Sequence, residues 1–133
     1  MKIINVVAAV ICDSITYKKN IFATARGYGE FKGQWEFPGG KIEYNETPQQ
    51  ALQREIKEEL NVNITVGELI DIIEYDYPNF HLTMHCYWCE VISGELTLLE
   101  AQDSVWLNKT TLNTVSWLPA DKLILSKINE QLN

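Results

Sequence analysis

The sequence predicts an α/β sandwich on a mixed β-sheet, organised as one domain over residues 1–133. Three observations lead there. Strand-like segments interleave with two helical ones, the pattern of layered α/β architectures. The first two strands lie close enough in sequence to form a hairpin, which disfavours a doubly wound parallel sheet. The length of 133 residues, with 46% hydrophobic and 22% charged, suits one sizeable core and argues against disorder.

Residues 3–12 are apolar and rich in β-branched side chains, a buried strand. Their resemblance to a signal peptide is superficial, because the run passes directly into Ile11-Cys12-Asp13 with no small-residue cleavage site. Asp13 to Asn20 reads as a turn, and Ile21–Arg26 as the partner strand of a hairpin. Gly27 to Gly33 is a Gly-rich loop, and Trp35 to Phe37 a short extended piece that ends in a tight turn at Pro38-Gly39-Gly40. A helix is then signposted by Thr47 as N-cap, Pro48 at its first position and Gln50 completing a capping box. It runs to Leu60, where Asn61 can take the left-handed stop. Long strands over 64–75 and 81–92 join around Tyr77-Pro78-Asn79, and a shorter strand lies near Ser104–Trp106. Asp121 is placed to cap a C-terminal helix that turns Leu123, Ile124 and Ile128 inward.

The net charge of −7 is the wrong sign for a polymeric nucleic-acid binder, whose affinity comes largely from Lys and Arg on phosphates. A single nucleotide escapes that objection if divalent cations carry positive charge into the site. No apolar run approaches the ~20 residues that a bilayer requires, so no membrane partner is expected, and the chain reads as cytoplasmic. Cys86 and Cys89 have redox-motif spacing, but on a strand side chains three apart point to opposite faces. His81, His85 and Cys89 share a strand face, yet spacings of four residues put consecutive ones about 13 Å apart, too far for a common zinc ion.

The informative segment is the acidic helix. Glu55, Glu58 and Glu59 stand at i, i+3 and i+4 on one stripe, beside an apolar stripe of Leu52, Ile56 and Leu60. Like charges at these spacings oppose helix formation by a few tenths of a kcal/mol per pair. A divalent ion would reverse that repulsion, and carboxylates are preferred ligands of Mg²⁺ and Mn²⁺. A solvated acidic face is the plain alternative for the triplet alone.

The longer pattern argues otherwise. Gly40, five residues, Glu46, seven residues, then Arg54-Glu55-Ile56-x-Glu58-Glu59 resembles the Nudix box, Gly-x5-Glu-x7-Arg-Glu-(aliphatic)-x-Glu-Glu-x-Gly-(aliphatic). Only Asn61 departs from it, standing in place of the last Gly, and Asn tolerates the left-handed conformation. Val6–Val10, Trp35–Glu43 and Pro119-Ala120-Asp121 extend the likeness to the MutT branch, which contains 8-oxo-dGTP diphosphatases and CTP pyrophosphohydrolases. The resemblance implies an α/β/α sandwich and a Mg²⁺-dependent pyrophosphohydrolase, with Mn²⁺ as a substitute metal. Its substrate would be a (deoxy)nucleoside triphosphate, cleaved to monophosphate and pyrophosphate by a monomer or a homodimer. The resemblance also makes Glu55, Glu58 and Glu59 metal ligands with the Gly39 carbonyl nearby. Arg54 orients glutamates, Glu46 braces loop to helix, and Glu100 supplies a further ligand or base. Arg26 and Lys41 are candidate phosphate contacts.

Base choice is less determined. Ionised Asp121 would accept from an amino donor such as cytosine N4, and protonated Asp121 could also donate. Its Pro-Ala-Asp setting is similar to that of CTP pyrophosphohydrolases. Phe37, Phe80 and Trp117 are candidates for base stacking, with a core role as the alternative. Two other readings remain: a Nudix hydrolase of ADP-ribose, a nucleotide sugar or a dinucleoside polyphosphate, and a non-catalytic nucleotide-binding module. The second is expected to lose helix glutamates, and all three are present.

Overall fold

The computed structural model describes all of residues 1–133. Strand β1 (Lys2–Ile11) is followed by β2 (Ile21–Ala25), β3 (Trp35–Glu36), β4 (Gly39–Lys41), helix α1 (Pro48–Leu60), β5 (Asn63–Tyr77), β6 (Phe80–Ser93) and β7 (Asp103–Leu107). Short helices α2 (Pro119–Lys122) and α3 (Leu125–Gln131) close the chain. Four strands form a mixed sheet in the order β4-β1-β6-β5, with β1 and β6 parallel and the outer pairs antiparallel. The other three form an antiparallel sheet, β3-β2-β7.

The larger sheet separates two cores. Because successive strand residues face opposite ways, Val7, Ala9 and Ile11 of β1 join Ala51, Leu52, Ile56 and Leu60 of α1 on one side. Ala8, Val10 and Cys12 join Ala120, Ile124 and Ile128 on the other. Both halves of the predicted α/β/α layering are thereby filled. The same alternation puts Cys86 in one core and Cys89 in the other, each a free buried thiol.

Three local expectations fail. β1 and β2 do not form a hairpin: they belong to different sheets and share only the bridge Cys12–Ile21 beside the Asp13 to Asn20 backbone bond. The central place of β1 between β4 and β6 leaves it no free edge for β2. Gly39–Lys41 is not a tight turn but β4, paired with Val6–Ala8, and the glycines serve close packing. A Cβ on Gly39 would overlap the Val7 carbonyl. Finally, the C-terminal helix is split in two; its first part starts after Leu118, which makes no side-chain cap, and Asp121 lies inside it. Leu123 falls at the break and is half exposed, while Ile124 and Ile128 are buried as expected.

Candidate active site: two clefts that share Arg26

Helix α1 begins as the sequence predicts. Thr47 accepts from the Gln50 backbone, the Gln50 side chain accepts from the Thr47 N–H, and Asn61 ends the helix at φ 56°, ψ 37°. The buried Leu52, Ile56 and Leu60 clamp the helix to the sheet, so the rotation of its acidic stripe is fixed by packing. The carboxylate of Glu55 lies against Gly40, whose missing side chain makes the space: a Cβ there would overlap it. That contact explains why glycine is needed fifteen residues upstream of a glutamate.

Arg54 organises the region. Its Nε is 2.7 Å from Glu46, Nη1 is 2.8 Å from Glu55 and 3.5 Å from Glu58, and Nη2 donates to the Lys41 carbonyl at 3.0 Å. Glu46 in turn accepts from the Glu43 N–H at 2.8 Å, tying the loop before α1 to the helix. The Arg54 hydrogen bonds hold the Glu46 carboxyl down to about 2, so this brace is ionised throughout the physiological range.

Glu59 behaves in the opposite way. It is half-buried and accepts from the Gly39 N–H at 3.1 Å. Burial, reinforced by the negative charges of Glu55, Glu100 and Glu36, pushes its carboxyl up to about 8. Glu55 is also raised, by burial first and by Glu58 and Glu100, with Arg54 opposing. Glu59, Glu100, Arg26, Glu36 and Tyr28 line a polar cleft of about 400 Å³. Glu100 arrives on a loop stapled to the end of α1, where Thr97 and Leu99 donate to the carbonyls of Leu60 and Glu59. Glu58 is exposed on the flank of the helix.

The donor set fits a hard divalent cation. Both nearby guanidinium groups are already committed, Arg54 to Glu46 and Glu55 and Arg26 to Glu36, so Glu59 and Glu100 have no cationic side chain paired with them. No three His, Cys, Asp or Glu side chains converge tightly enough to hold an ion unaided. A cation that keeps several waters and shares substrate phosphates needs only one or two carboxylates.

On the other side of Arg26 lies a largely apolar cleft of about 570 Å³, walled by Val6, Phe31, Tyr77, Phe80 and Leu118 with Asp121 at its floor. Asp121 is only 6% exposed. Its Oδ2 accepts from the Phe37 N–H at 2.9 Å, while Oδ1 has no protein partner and is not sealed from the cleft. Burial, with the charge of Glu36 adding and Arg26 opposing, pushes its carboxyl up to about 7. The approach of two distant segments makes this possible: Trp35 bonds Ser116 and Leu118 through its backbone, docking α2 against β3.

The predicted site residues therefore divide. Glu59, Glu100 and Arg26 line the polar cleft, Gly39 is tied to Glu59 through its N–H, and Glu55 lies beside them against Gly40, braced by Arg54 and, through it, by Glu46. Asp121 and Phe80 meet in the apolar cleft. Phe37 is 3% exposed and its ring packs on Trp117 at 4.7 Å, so it contributes its backbone N–H more than a free stacking face. The Lys41 side chain is exposed and lies away from both clefts. Glu36 was missed, although it pairs with Arg26 through two bonds of 3.0 and 2.6 Å and borders the polar cleft. Only the β2–β3 register reveals that pairing, and the hairpin expected between β1 and β2 obscured it.

A profile of the NUDIX domain matches residues 3–132. The chain belongs to the Nudix family. It is 34% identical over 134 residues to the 8-oxo-dGTP diphosphatase of Haemophilus influenzae, covering 99% of this chain and 96% of that protein. It is 34% identical over 121 residues to the CTP pyrophosphohydrolase of Escherichia coli, covering 91% and 87%. Among solved structures, the E. coli ORF135 protein superposes with a TM-score of 0.80 at 33% identity, over 96% of this chain and 89% of that one. MutT of methicillin-resistant Staphylococcus aureus gives 0.73 at 34% identity, over 98% of both. This Nudix chain is thus MutT-like in sequence and in fold.

Proposed function

We propose that this MutT-like Nudix hydrolase is a Mg²⁺-dependent nucleoside triphosphate pyrophosphohydrolase. Its substrate is a CTP/dCTP-type nucleotide or 8-oxo-dGTP, and its products are nucleoside monophosphate and pyrophosphate. The observation that carries this reading is the arrangement of the two clefts. A carboxylate-rich cleft and an apolar cleft with one buried acid at its floor meet at a single arginine. The first suits a metal-bound triphosphate and the second a base.

Glu55, Glu58, Glu59 and Glu100, with the Gly39 carbonyl, are the groups that would hold Mg²⁺. When bound, the ion neutralises phosphate oxygens and lowers the pKa of water. Arg54 keeps Glu55 oriented, and Glu46 keeps Arg54 in place. A glutamate of the polar cleft accepts the proton of the attacking water. Attack of that water on the β-phosphorus, with cleavage of its bond to the α–β bridging oxygen, would then release the monophosphate, which keeps that oxygen, and pyrophosphate, which takes up the water oxygen. Arg26, already levelled by Glu36, is positioned to meet the phosphate chain where it leaves the base cleft. Asp121 Oδ1 reads the base edge: ionised, it accepts from an amino group; protonated, it donates to an acceptor.

The test is direct. The protein is incubated with Mg²⁺ and CTP, dCTP, dGTP, 8-oxo-dGTP and ADP-ribose, and the products are separated. Monophosphate plus pyrophosphate from a triphosphate is expected. Orthophosphate as the sole inorganic product, or turnover of ADP-ribose alone, would overturn the proposal.

A further inference from the structure

The β5–β6 hairpin reaches the apolar cleft with its tip. The ladder closes at Tyr77–Phe80 around the two residues Pro78 and Asn79. Two-residue hairpin loops favour turns with positive φ at their centre, because those follow the twist of the strands. Proline locks φ near −65°, and Asn79 is not among the residues with positive φ. This turn therefore tends to splay its strands, and other contacts must hold the tip closed.

On the cleft side, the Tyr77 and Phe80 rings stack at 5.0 Å, with Phe31 edge-on to Tyr77 at 5.6 Å. The rung directly behind, Asp76–His81, faces the opposite side of the sheet. There His81 Nδ1 is 2.6 Å from Asp76 and Nε2 is 3.0 Å from Glu74, which also accepts from Thr83. A neutral imidazole has one donor and one acceptor nitrogen, and an acceptor cannot satisfy a carboxylate. Two carboxylate partners call for the imidazolium, donating to both.

We propose that His81 is a positioning residue for nucleotide binding: its imidazolium clasps Asp76 and Glu74 across the hairpin and so holds Tyr77 and Phe80 as a wall of the base cleft. The inference rests on the reading of that cleft as the base site. The hydrogen bonds to Asp76 and then Glu74 hold His81 above the usual histidine pKa. Glu74 and Asp76 face it from β5 and His85 stands further along β6; on β1 the uncharged Ile3 and Asn5 lie alongside, with Lys2 paired to Phe80 on the opposite face and the Met1 amino terminus just before it. The clasp is thus complete below the usual histidine pKa and is lost as pH rises through the raised one.

The experiment measures KM and kcat of the intact protein, with Mg²⁺ and the triphosphate that it turns over, from about pH 6 to about pH 9. His81→Gln is expected to raise KM roughly threefold at the acidic end, the effect of a modest exposed charge cluster, and to leave kcat within about twofold. Wild-type KM is expected to climb towards that of the variant as pH rises. His81→Lys, which restores a cation, and Asp76→Asn, which removes one partner, are both expected to fall between. Ring ¹⁵N shifts provide a readout independent of turnover, with both His81 nitrogens protonated at neutral pH. Equal KM values at every pH in an active protein, or a neutral His81 ring at neutral pH, overturn the inference. A wild type that turns over no nucleoside triphosphate overturns the functional reading first, and the positioning role with it.

Discussion

The two clefts differ in how they treat an acid. In the polar cleft, carboxylates crowd one another, and Glu59 is raised by its neighbours as well as by burial. In the apolar cleft a single carboxyl, Asp121, is raised mainly by the absence of water. Charge concentrated in the first attracts a cation. A single buried carboxyl among mostly apolar walls, as in the second, is a reader of hydrogen-bond pattern. Similar upward shifts thus serve unlike tasks, according to what surrounds each carboxyl.

Breaking the polar cleft should cost most. Glu59→Gln is expected to lower kcat by on the order of a thousandfold, within the span for a group that supports proton transfer or metal, with chelation abolishing turnover in the wild type. Steady-state assays with and without excess EDTA check this. Gly40→Ala comes next: its Cβ must displace the Glu55 carboxylate. A ten- to hundredfold loss of kcat is expected, about 1.4–2.7 kcal/mol in activation free energy, alongside a lowered Tm.

In the apolar cleft the effects are smaller and depend on pH. Asp121→Asn is expected to shift relative kcat/KM between amino-edged and keto-edged bases by about tenfold, with little loss on the better substrate. Competition assays read this. Burial pushes the folded Asp121 carboxyl up to about 7 from its ordinary 3.8. Its stabilising protonation is therefore complete below about pH 4 and is lost as pH rises through 7. Wild-type Tm should consequently fall between about pH 4 and 7 more steeply than that of Asp121→Asn, with Glu36, Arg26 and Tyr77 unchanged around the site. Parallel Tm profiles would defeat that assignment. The smallest effect lies at the end of α1, where Asn61 sits at φ 56°. Asn61→Gly is expected to stabilise by about 0.5 kcal/mol in chemical denaturation, without touching either cleft.

The polar cleft was more legible in the sequence than the apolar one, for a physical reason. Gly40, Glu46, Arg54, Glu55 and Glu59 lie within one loop–helix unit, so helical periodicity and a capped start fix their mutual placement. The apolar cleft is assembled from β1, β4, β5, β6, the loop that carries Arg26 and Phe31, and the segment around α2, whose meeting depends on sheet order. Asp121 looked like a helix cap because local pattern alone cannot tell that the Phe37 N–H, 84 positions away, will claim its oxygen. Glu36 stayed hidden because its partner lies across a two-residue strand pairing. The fold class survived the mistaken hairpin, since alternation in β1 and the amphipathic α1 already require a covered sheet.

That alternation has a kinetic consequence. β1 contributes to both cores at once and is hydrogen-bonded along both edges. Its central amides should exchange with deuterium only when the whole molecule opens. Neither cleft can then melt while the other stays assembled, and during thermal challenge base recognition and turnover should disappear in the same transition.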